Sequence, residues 1–416
     1  MINVSLTRKV RLYPTSGQAD EFEQVTKEYQ RLCNKASQYV FDNRMLMESS
    51  LQKKLNRALY YDFRADSFLG AGLIQSIFRT VIARYETVKT QLAQNPMRYD
   101  TGKKDKNGKA IWSSISRDLD WLWKPILFKR PQADYVRTKN YSLVSDGRLI
   151  SLNGVDGRLK VKYALREKSF LESKDIRLGT AKLVQSCGHW FFHVSYTVIR
   201  SGLDMSDVQH VVGIDRGLRF IATAYDDQGR TSFYSGKALS NKRKHYKWLR
   251  QQLQKKGTRS AHLRLQQIGS RENRYVSQMN HIISKALVKK YGKHTLFVVE
   301  NLTGVRKATE HVKKQRRYEQ VSWPFYQLEQ FLDYKADLVG SKVIEVSPYK
   351  TSQRCPKCGR IRKDNRNHDI HQYHCDRCGY NSNDDRIGAM NIYLLGTLKR
   401  SGVLNPSFKT NQKLNN

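Results

Sequence analysis

Val211-Val212-Gly213-Ile214-Asp215-Arg216-Gly217, followed by Phe220-Ile221-Ala222-Thr223-Ala224-Tyr225, decides the fold. The first run is a short buried strand that ends in an acid, and the second is a strand beside it. Two long helical patterns come next. One is very basic, from Lys242 to Lys256; the other places Tyr275, Met279, Ile282, Ile283, Ala286 and Leu287 on a single face. Leu296-Phe297-Val298-Val299-Glu300 is then another buried strand ending in an acid. Strand, hairpin, helices and strand is the order of an α/β sheet with helices packed against it.

If the two acid-ended strands are neighbours, Asp215 and Glu300 stand at one edge of the sheet. Each acid alone has an ordinary reading. Asp215 can form a turn or cap a helix, and Glu300 can pair with Arg306 and Lys307. A third site shifts the balance: Asn383-Asp384-Asp385-Arg386-Ile387-Gly388-Ala389-Met390-Asn391-Ile392 is an acid pair opening a helix of small and apolar residues. Three carboxylates supply the hard oxygen ligands that magnesium takes, and leave positions open for water and phosphate. Two such ions roughly 4 Å apart can activate an attacking water and stabilise a leaving oxygen.

Cysteines come in two kinds. Cys355-Pro356-Lys357-Cys358-Gly359 and Cys375-Asp376-Arg377-Cys378-Gly379 are two knuckles, with sixteen residues between Cys358 and Cys375. Four thiolates close a tetrahedral zinc shell with no position left for water, so one structural zinc is expected on Cys355, Cys358, Cys375 and Cys378. His368, His371 and His374 between the pairs read as surface groups contacting phosphate. Cys33 and Cys187 stand alone in apolar-periodic stretches and read as small buried hydrophobes.

Charge narrows the partners. The chain has 416 residues, with 75 Lys and Arg against 37 Asp and Glu, for a formal net charge of +38. A surface this basic self-repels unless a polyanion neutralises it, which points to long nucleic acid rather than a small acidic metabolite. At this length a sizeable core is available and one to three domains are expected. There is no apolar run of spanning length, and the start, Met1-Ile2-Asn3-Val4-Ser5-Leu6-Thr7-Arg8-Lys9, lacks a signal-peptide pattern. A soluble cytoplasmic protein without a membrane partner is expected, associated with the nucleoid when bound to DNA.

The N-terminal half is organised differently. A strand from Leu6 to Tyr13 leads into a helix with Phe22, Val25, Tyr29, Leu32, Ala36, Tyr39 and Val40 at helical spacing. A further helix carries Leu73, Ile74, Ile77, Phe78, Val81, Ile82, Tyr85 and Val88, and ends near Gln94. Residues 97–120 are polar and lysine-rich and read as an exposed loop. From Ile126 to Val198 alternating stretches punctuated by Asp146-Gly147 and Asp156-Gly157 read as antiparallel hairpins. The first strand closes onto this sheet as a barrel with the helical unit inserted. Ser401 to Asn416 reads as a frayed tail.

Pro348-Tyr349-Lys350-Thr351-Ser352-Gln353-Arg354 before the first knuckle, the second knuckle, and the acid-headed Gly388-Ala389-Met390-Asn391 helix together resemble the C-terminal signature of TnpB, the transposon-encoded RNA-guided nucleases related to type V CRISPR effectors. Gly213-Ile214-Asp215-Arg216-Gly217 and Val298-Val299-Glu300-Asn301-Leu302 resemble the first two RuvC motifs of that family, and Arg11-Leu12-Tyr13-Pro14-Thr15 its opening. The resemblance implies a multidomain α+β protein. It would have a RuvC/RNase H-like α/β nuclease domain with a zinc-ribbon insertion, preceded by a wedge-like antiparallel β-barrel with an inserted helical recognition lobe. The boundaries are 1–15 and 121–205 for the barrel, 16–120 for the lobe, 206–350 and 380–400 for the nuclease, 351–379 for the ribbon and 401–416 for the tail. Asp215, Glu300 and Asp385 would be the catalytic, magnesium-binding triad, holding two ions. Guide RNA would be bound and double-stranded target DNA cut next to a short flanking motif. Arg11 and the basic helix, through Lys242, Arg243, Lys244, Lys247 and Arg250, are the expected nucleic-acid contacts.

The family's third motif commonly reads D-x-N-A-A-x-N, whereas Ile387 and Gly388 occupy the Asn-Ala places here. Alignment on Ala389 and Asn391 makes Asp385 the third acid and Asp384 a neighbour that caps the helix; a register one residue earlier would exchange them. Arg216 either contacts phosphate or faces solvent. A miniature type V CRISPR effector is the alternative of the same fold, distinguished by a repeat array rather than a transposon end beside the gene. A nuclease-inactive RNA-guided repressor should have lost at least one acid, and all three are present. A transposase that joins DNA ends also uses three carboxylates, but the knuckle before the third acid argues against it.

Overall fold

Apolar residues on both sides of Val211–Ile214 and Leu296–Val299 are buried by helices on both faces of one sheet. Val212, Ile214, Phe297 and Val299 join a cluster with Leu239, Val276, Ile283, Leu287, Leu328 and Leu332. Val211, Leu296 and Val298 point the other way, into a cluster with Ile392 and Leu395, as the period of two along a strand requires. The computed structural model describes residues 1–45, 50–104, 108, 110–144, 148–269, 271–302, 325–367 and 370–408. The chain divides into a unit of Ser5–Val198 and one of Met1–Val4 with Ile199–Asn416.

The first unit begins with β1 (Ile2–Tyr13), then α1 (Ser16–Asp42), α2 (Leu51–Ala65) and α3 (Ala71–Gln94). A capping box of Thr15 and Gln18 starts α1, so the Tyr-Pro-Thr break after β1 is a helix signal as well as a strand end. Helix α2 was not anticipated. Its core face is only Leu51, Leu55, Leu59 and Phe63, one residue per turn among polar neighbours.

Next come the hairpin β2 (Met97–Lys104) and β3 (Ala110–Ile115), then β4 (Gln132–Tyr135), β5 (Tyr141–Val144), β6 (Leu149–Asn153), β7 (Arg158–Tyr163), a short α4 (Lys168–Leu171), β8 (Arg177–Ser186) and β9 (His189–Arg200). The expected loop over residues 97–120 is thus corrected in part to a two-stranded ribbon: Met97 pairs with Ile115 and Tyr99 with Ser113. Its exposure on both faces hid the alternation that betrays a half-buried strand.

Seven strands form a sheet in the order β4-β8-β9-β1-β7-β6-β5, with Leu12 opposite Tyr163. Strand β1 is central to it, as expected, but the sheet is a half-barrel. Just past edge β4, Arg137 makes an isolated bridge with Tyr141 of the other edge strand, β5. Edge β4 is covered by α3 instead: the Ser76 hydroxyl donates to Asp134 O at 2.8 Å and the Thr80 hydroxyl to Asp134 Oδ2 at 2.6 Å. Cys33 is buried, whereas Cys187 is exposed. Cys187 sits at φ +52° in the β8–β9 turn, where its side chain has no sheet face to join.

The second unit carries β10 (His210–Asp215), β11 (Phe220–Asp226), β12 (Thr231–Ser235), α5 (Lys237–Lys256), α6 (Arg259–Ile268), α7 (Arg271–Tyr291), β13 (Thr295–Glu300), α8 (Phe325–Leu338) and β14 (Lys342–Val346). The cysteine segment follows, with β15 (Arg366–Asn367), β16 (Gln372–His374) and β17 (Asn381–Asn383), before α9 (Asp384–Arg400). The five-stranded order is β12-β11-β10-β13-β14; β10, β13 and β14 run parallel, β11 pairs antiparallel with β10, and β12 pairs antiparallel with β11. Strand β12 and helix α6 were not read from the sequence. Residues 401–408 are not a frayed end, since Phe408 packs against the cluster of Leu203, Val346 and Leu395; residues 409–416 lie outside the described residues.

Candidate active site and cysteine centre

Strands β10 and β13 pair in parallel with Ile214 opposite Val299. Asp215 and Glu300 are the next residues on each, so two carboxylates leave the sheet side by side. Helix α9 brings the third. It lies directly on β10 because the facing positions lack side chains: a Cβ on Gly213 would stand 2.3 Å from Ala389 O, and one on Gly388 would stand 2.7 Å from Asp215 Oδ2. Asp385 in the first turn of α9 is 7% exposed.

The charges of Glu300 and Asp385 both act on Asp215. Asp215 and Glu300 keep some surface at the strand ends, yet protein atoms crowd both. Burial holds the Asp215 carboxyl well above the usual carboxylate range, and the charges of Glu300 and Asp385 add to the shift. Glu300 is raised by burial, against the opposing pull of a hydrogen bond from Thr351 and the charges of Arg216 and Arg366. Asp385 is raised by burial and by Asp384, against Arg366, His371 and Arg219. The Asp385 Oδ2 atom is buried without a hydrogen-bond partner. Asp215, repelled by both other acids, and the unpartnered Asp385 oxygen are the kind of carboxylate that a divalent cation takes.

Asp384 does something else. It is fully buried and paired with Arg366 at 2.9 Å, with His371 Nδ1 3.4 Å away. The expected cap is corrected: Asn383 caps α9, its Oδ1 accepting from the backbone N–H groups of Asp385 and Arg386 at 3.1 Å. Asp384 lies one residue inside. His371 is likewise not a free surface group, since its ligand atoms lie within 4.8 Å of those of Asp384 and Asp385. His374 is exposed and His368 is outside the described residues.

Arg216 meets neither phosphate nor solvent. Its guanidinium is buried, pairs with Glu329 of α8, and donates to the backbone carbonyls of Glu300 and Phe325. It therefore ties the end of β13 to α8. Arg306 and Lys307, the alternative partners for Glu300, fall outside the described residues.

The four cysteines of the two knuckles converge. The sulfur atoms of Cys355 and Cys378 are 3.7 Å apart, those of Cys358 and Cys375 3.5 Å, and all four lie within 4.8 Å of one another. Gly359 and Gly379, at φ +73° and +66°, let each knuckle turn back so that its glycine N–H donates to the first cysteine's carbonyl. The donor set fits a tetrahedral zinc.

The basic helix divides. Lys242 and Lys244 are exposed, and Lys247 and Arg250 are half-buried. Arg243 is 7% exposed and pairs with Glu272 of α7 at 3.2 Å, and Arg250 pairs with the same carboxylate at 2.6 Å. The expectation that Arg243 faces nucleic acid is corrected, because its side chain locks α5 to α7. Arg11 is half-buried, with its guanidinium 3.2 Å from the His189 ring and over Tyr13.

Family models match two segments: a "Probable transposase" model over residues 193–310 and a "Cas12f1-like, TNB domain" model over residues 325–392. A CRISPR-associated endodeoxyribonuclease Cas12f1 of Sulfoacidibacillus thermotolerans is 30% identical over 220 residues, covering 49% of this chain and 49% of that protein. A TnpB-like protein of Methanocaldococcus jannaschii is 35% identical over 96 residues, 23% of this chain and 34% of that one. The chain thus matches about half or less of the length of these relatives. Among solved structures, a Cas12f1–sgRNA–target DNA complex has a protein of the same fold, with TM-score 0.55 at 12% identity over 94% of this chain and 99% of that one. No helix among the described residues is long and apolar enough to cross a membrane. The chain is therefore a relative of the TnpB-like and Cas12f1 proteins, matched by family models between residues 193 and 392, where its motifs resemble TnpB.

Proposed function

We propose that the chain is an RNA-guided DNA endonuclease of the TnpB and Cas12 type, cutting target DNA by metal-dependent hydrolysis next to a short flanking motif. The observation that carries this reading is that Asp215 and Glu300 end neighbouring strands, with α9 laid on Asp215 at Gly388 and Asp385 Oδ2 of the same helix buried and unpartnered. Magnesium held there, as two ions, would supply Lewis-acid polarisation of a phosphate oxygen and a water of lowered pKa. The chain's own part is to fix the three carboxylates, to keep Asp384 neutralised by Arg366, and to anchor the backbone of Glu300 through Arg216.

The remaining assignments follow the same reading. The mixed sheet order supports a RuvC-like nuclease domain over 206–350 and 380–400, and the sulfur cluster supports a zinc ribbon over 351–379. The half-barrel is assigned as the wedge and α1–α3 as the recognition lobe. Guide RNA and double-stranded DNA are the proposed partners; the relative from Sulfoacidibacillus is named an endodeoxyribonuclease, and the net charge of +38 suits long polyanions. Arg11, Lys242, Lys244 and Lys247 are the proposed phosphate contacts.

The match to the Cas12f1-like domain favours a second reading with the same chemistry, a miniature CRISPR effector. A repeat array beside the gene, rather than a transposon end, distinguishes it. The direct test is to purify the chain at moderate salt and sequence the RNA that accompanies it. A defined RNA species, with magnesium-dependent cleavage of matching DNA that Asp215→Ala abolishes while binding persists, is the expected result. Protein free of RNA that cuts DNA indiscriminately would overturn the reading.

A further inference from the structure

Glu300 has a partner in the turn that precedes the first cysteine knuckle. Five residues after β14 the chain turns at Thr351, which is 2% exposed. Its hydroxyl lies 2.5 Å from Glu300 Oε1 and 3.1 Å from Pro348 O. A hydroxyl has one proton to give, and the nearer, charged acceptor takes it. The backbone end of Glu300 is held by Arg216, but a glutamate still turns about its side-chain torsions, the last of them broad. A bond to one carboxylate oxygen fixes the plane of the group and hence the direction of the other oxygen's lone pairs.

Thr351 is itself held from α9. The Asn391 amide, fully buried, donates to Thr351 O and to Arg354 O, each at 2.8 Å, and accepts from Arg354 Nη1 at 3.2 Å. Asn391 lies less than two turns beyond Asp385 on the same helix. Arg354 is followed at once by Cys355. One amide therefore joins the helix that carries Asp385 to the turn that orients Glu300, immediately before the cysteine centre.

We propose that Thr351 is a positioning residue that orients the Glu300 carboxylate for metal binding, with Asn391 setting the place of Thr351 relative to Asp385. The inference rests on the proposed metal-binding role of Glu300. Ligating carboxylates are themselves hydrogen-bonded, and loss of such a partner typically weakens metal affinity about 10–100-fold.

The test uses the full chain freed of RNA, titrated with manganese and followed by electron paramagnetic resonance, alongside the magnesium dependence of cleavage by the RNA-loaded protein. Thr351→Val keeps the branched shape and removes the hydroxyl; it is expected to weaken manganese binding about tenfold and to raise the magnesium midpoint by a similar factor, with most of the rate restored at saturating metal. Thr351→Ser is expected to stay within about twofold of the parent, since it keeps the donor. Thr351→Ala reports the same loss as valine if the added methyl perturbs the fold, which zinc content and melting temperature reveal. Valine and alanine variants that bind manganese like the parent would overturn the proposal, as would a serine variant as weak as valine. Should Glu300→Ala also bind manganese and cut like the parent, the metal-binding role of Glu300 fails, a result distinct from a failure confined to Thr351.

Discussion

Gly388 faces Asp215 so closely that a Cβ at position 388 would lie 2.7 Å from the Asp215 Oδ2 atom and 2.9 Å from its Cγ. The helix carrying the third acid thus rests on the side chain of the first, and the width of residue 388 sets the place of Asp215. A branched side chain there must push the carboxylate aside. Gly388→Val is expected to lower cleavage about a hundredfold, the usual effect of displacing a reacting group by about 1 Å, while binding of nucleic acid is retained. Gly388→Ala, whose single methyl the carboxylate can rotate away from, should fall in between. Cleavage at the parental rate by the valine variant would show that Asp215 does not need this position.

Asp384 and Asp385 are adjacent but separable. Asp385→Ala should abolish cleavage and change melting little, because its Oδ2 has no partner to lose and its Oδ1 has only a long contact of 3.8 Å with Arg366, which keeps Asp384 at 2.9 Å. Asp384→Ala takes from Arg366 its partner at 2.9 Å and leaves it the Asp385 carboxylate at 3.8 Å; losing such a hydrogen bond to a charged group costs about 1.5–3 kcal/mol. A fall in melting temperature for Asp384→Ala, with some cleavage left at low temperature, is the expected outcome. The reverse assignment would follow if Asp384→Ala were folded and inactive while Asp385→Ala cut normally.

Stability should depend on pH in a direction set by Asp215. In the folded chain burial, Glu300 and Asp385 hold this carboxyl above its ordinary range, whereas in the unfolded chain it titrates near 3.9. Between those values the folded state binds the extra proton, so without divalent metal stability is present at low pH and lost as pH rises through the folded value. Asp215→Asn should therefore melt above the parent at pH 8 in magnesium-free buffer, with the gap closing toward pH 5 or on adding magnesium. Calorimetry showing the parent more stable than the asparagine variant at pH 8 without metal would contradict the shift.

The four sulfur atoms within 4.8 Å of one another predict about one zinc per chain, measured by elemental mass spectrometry, since four thiolates complete the shell. Cys358→Ser should lose most of the zinc and most of the cleavage, because Arg354, next to Cys355, is bonded to Asn391 and through it to the turn that orients Glu300. Full zinc content in the variant would contradict the shared site.

What the sequence revealed and what it hid have separate physical causes. The acid-ended strands and cysteine knuckles were legible because burial on both faces leaves unbroken apolar runs, and thiolate spacing is set by one ion's size. Helix α2 and strand β12 went unseen because each buries a narrow or partial face. Arg216 and Arg243 were misjudged for a different reason: an arginine beside an acid motif or in a basic run looks solvated in one dimension. Their carboxylate partners, Glu329 and Glu272, come from helices 113 and 29 residues further along the chain. The hydroxyl of Thr351 reaches Glu300 across 51 residues of sequence, a distance over which no periodicity speaks.

If the proposed function holds, bound RNA selects the DNA that is cut. The most direct measurement loads the purified chain with either of two guides that differ only in their targeting segment, and presents each with plasmids bearing either matched site beside a range of flanking sequences in magnesium. Each guide should direct cleavage of its own plasmid alone, RNA-free protein should cut neither, and Glu300→Ala loaded with either guide should bind the matched plasmid without cutting it. Equal cutting of both plasmids whichever guide is loaded, or equal cutting by RNA-free protein, would contradict it.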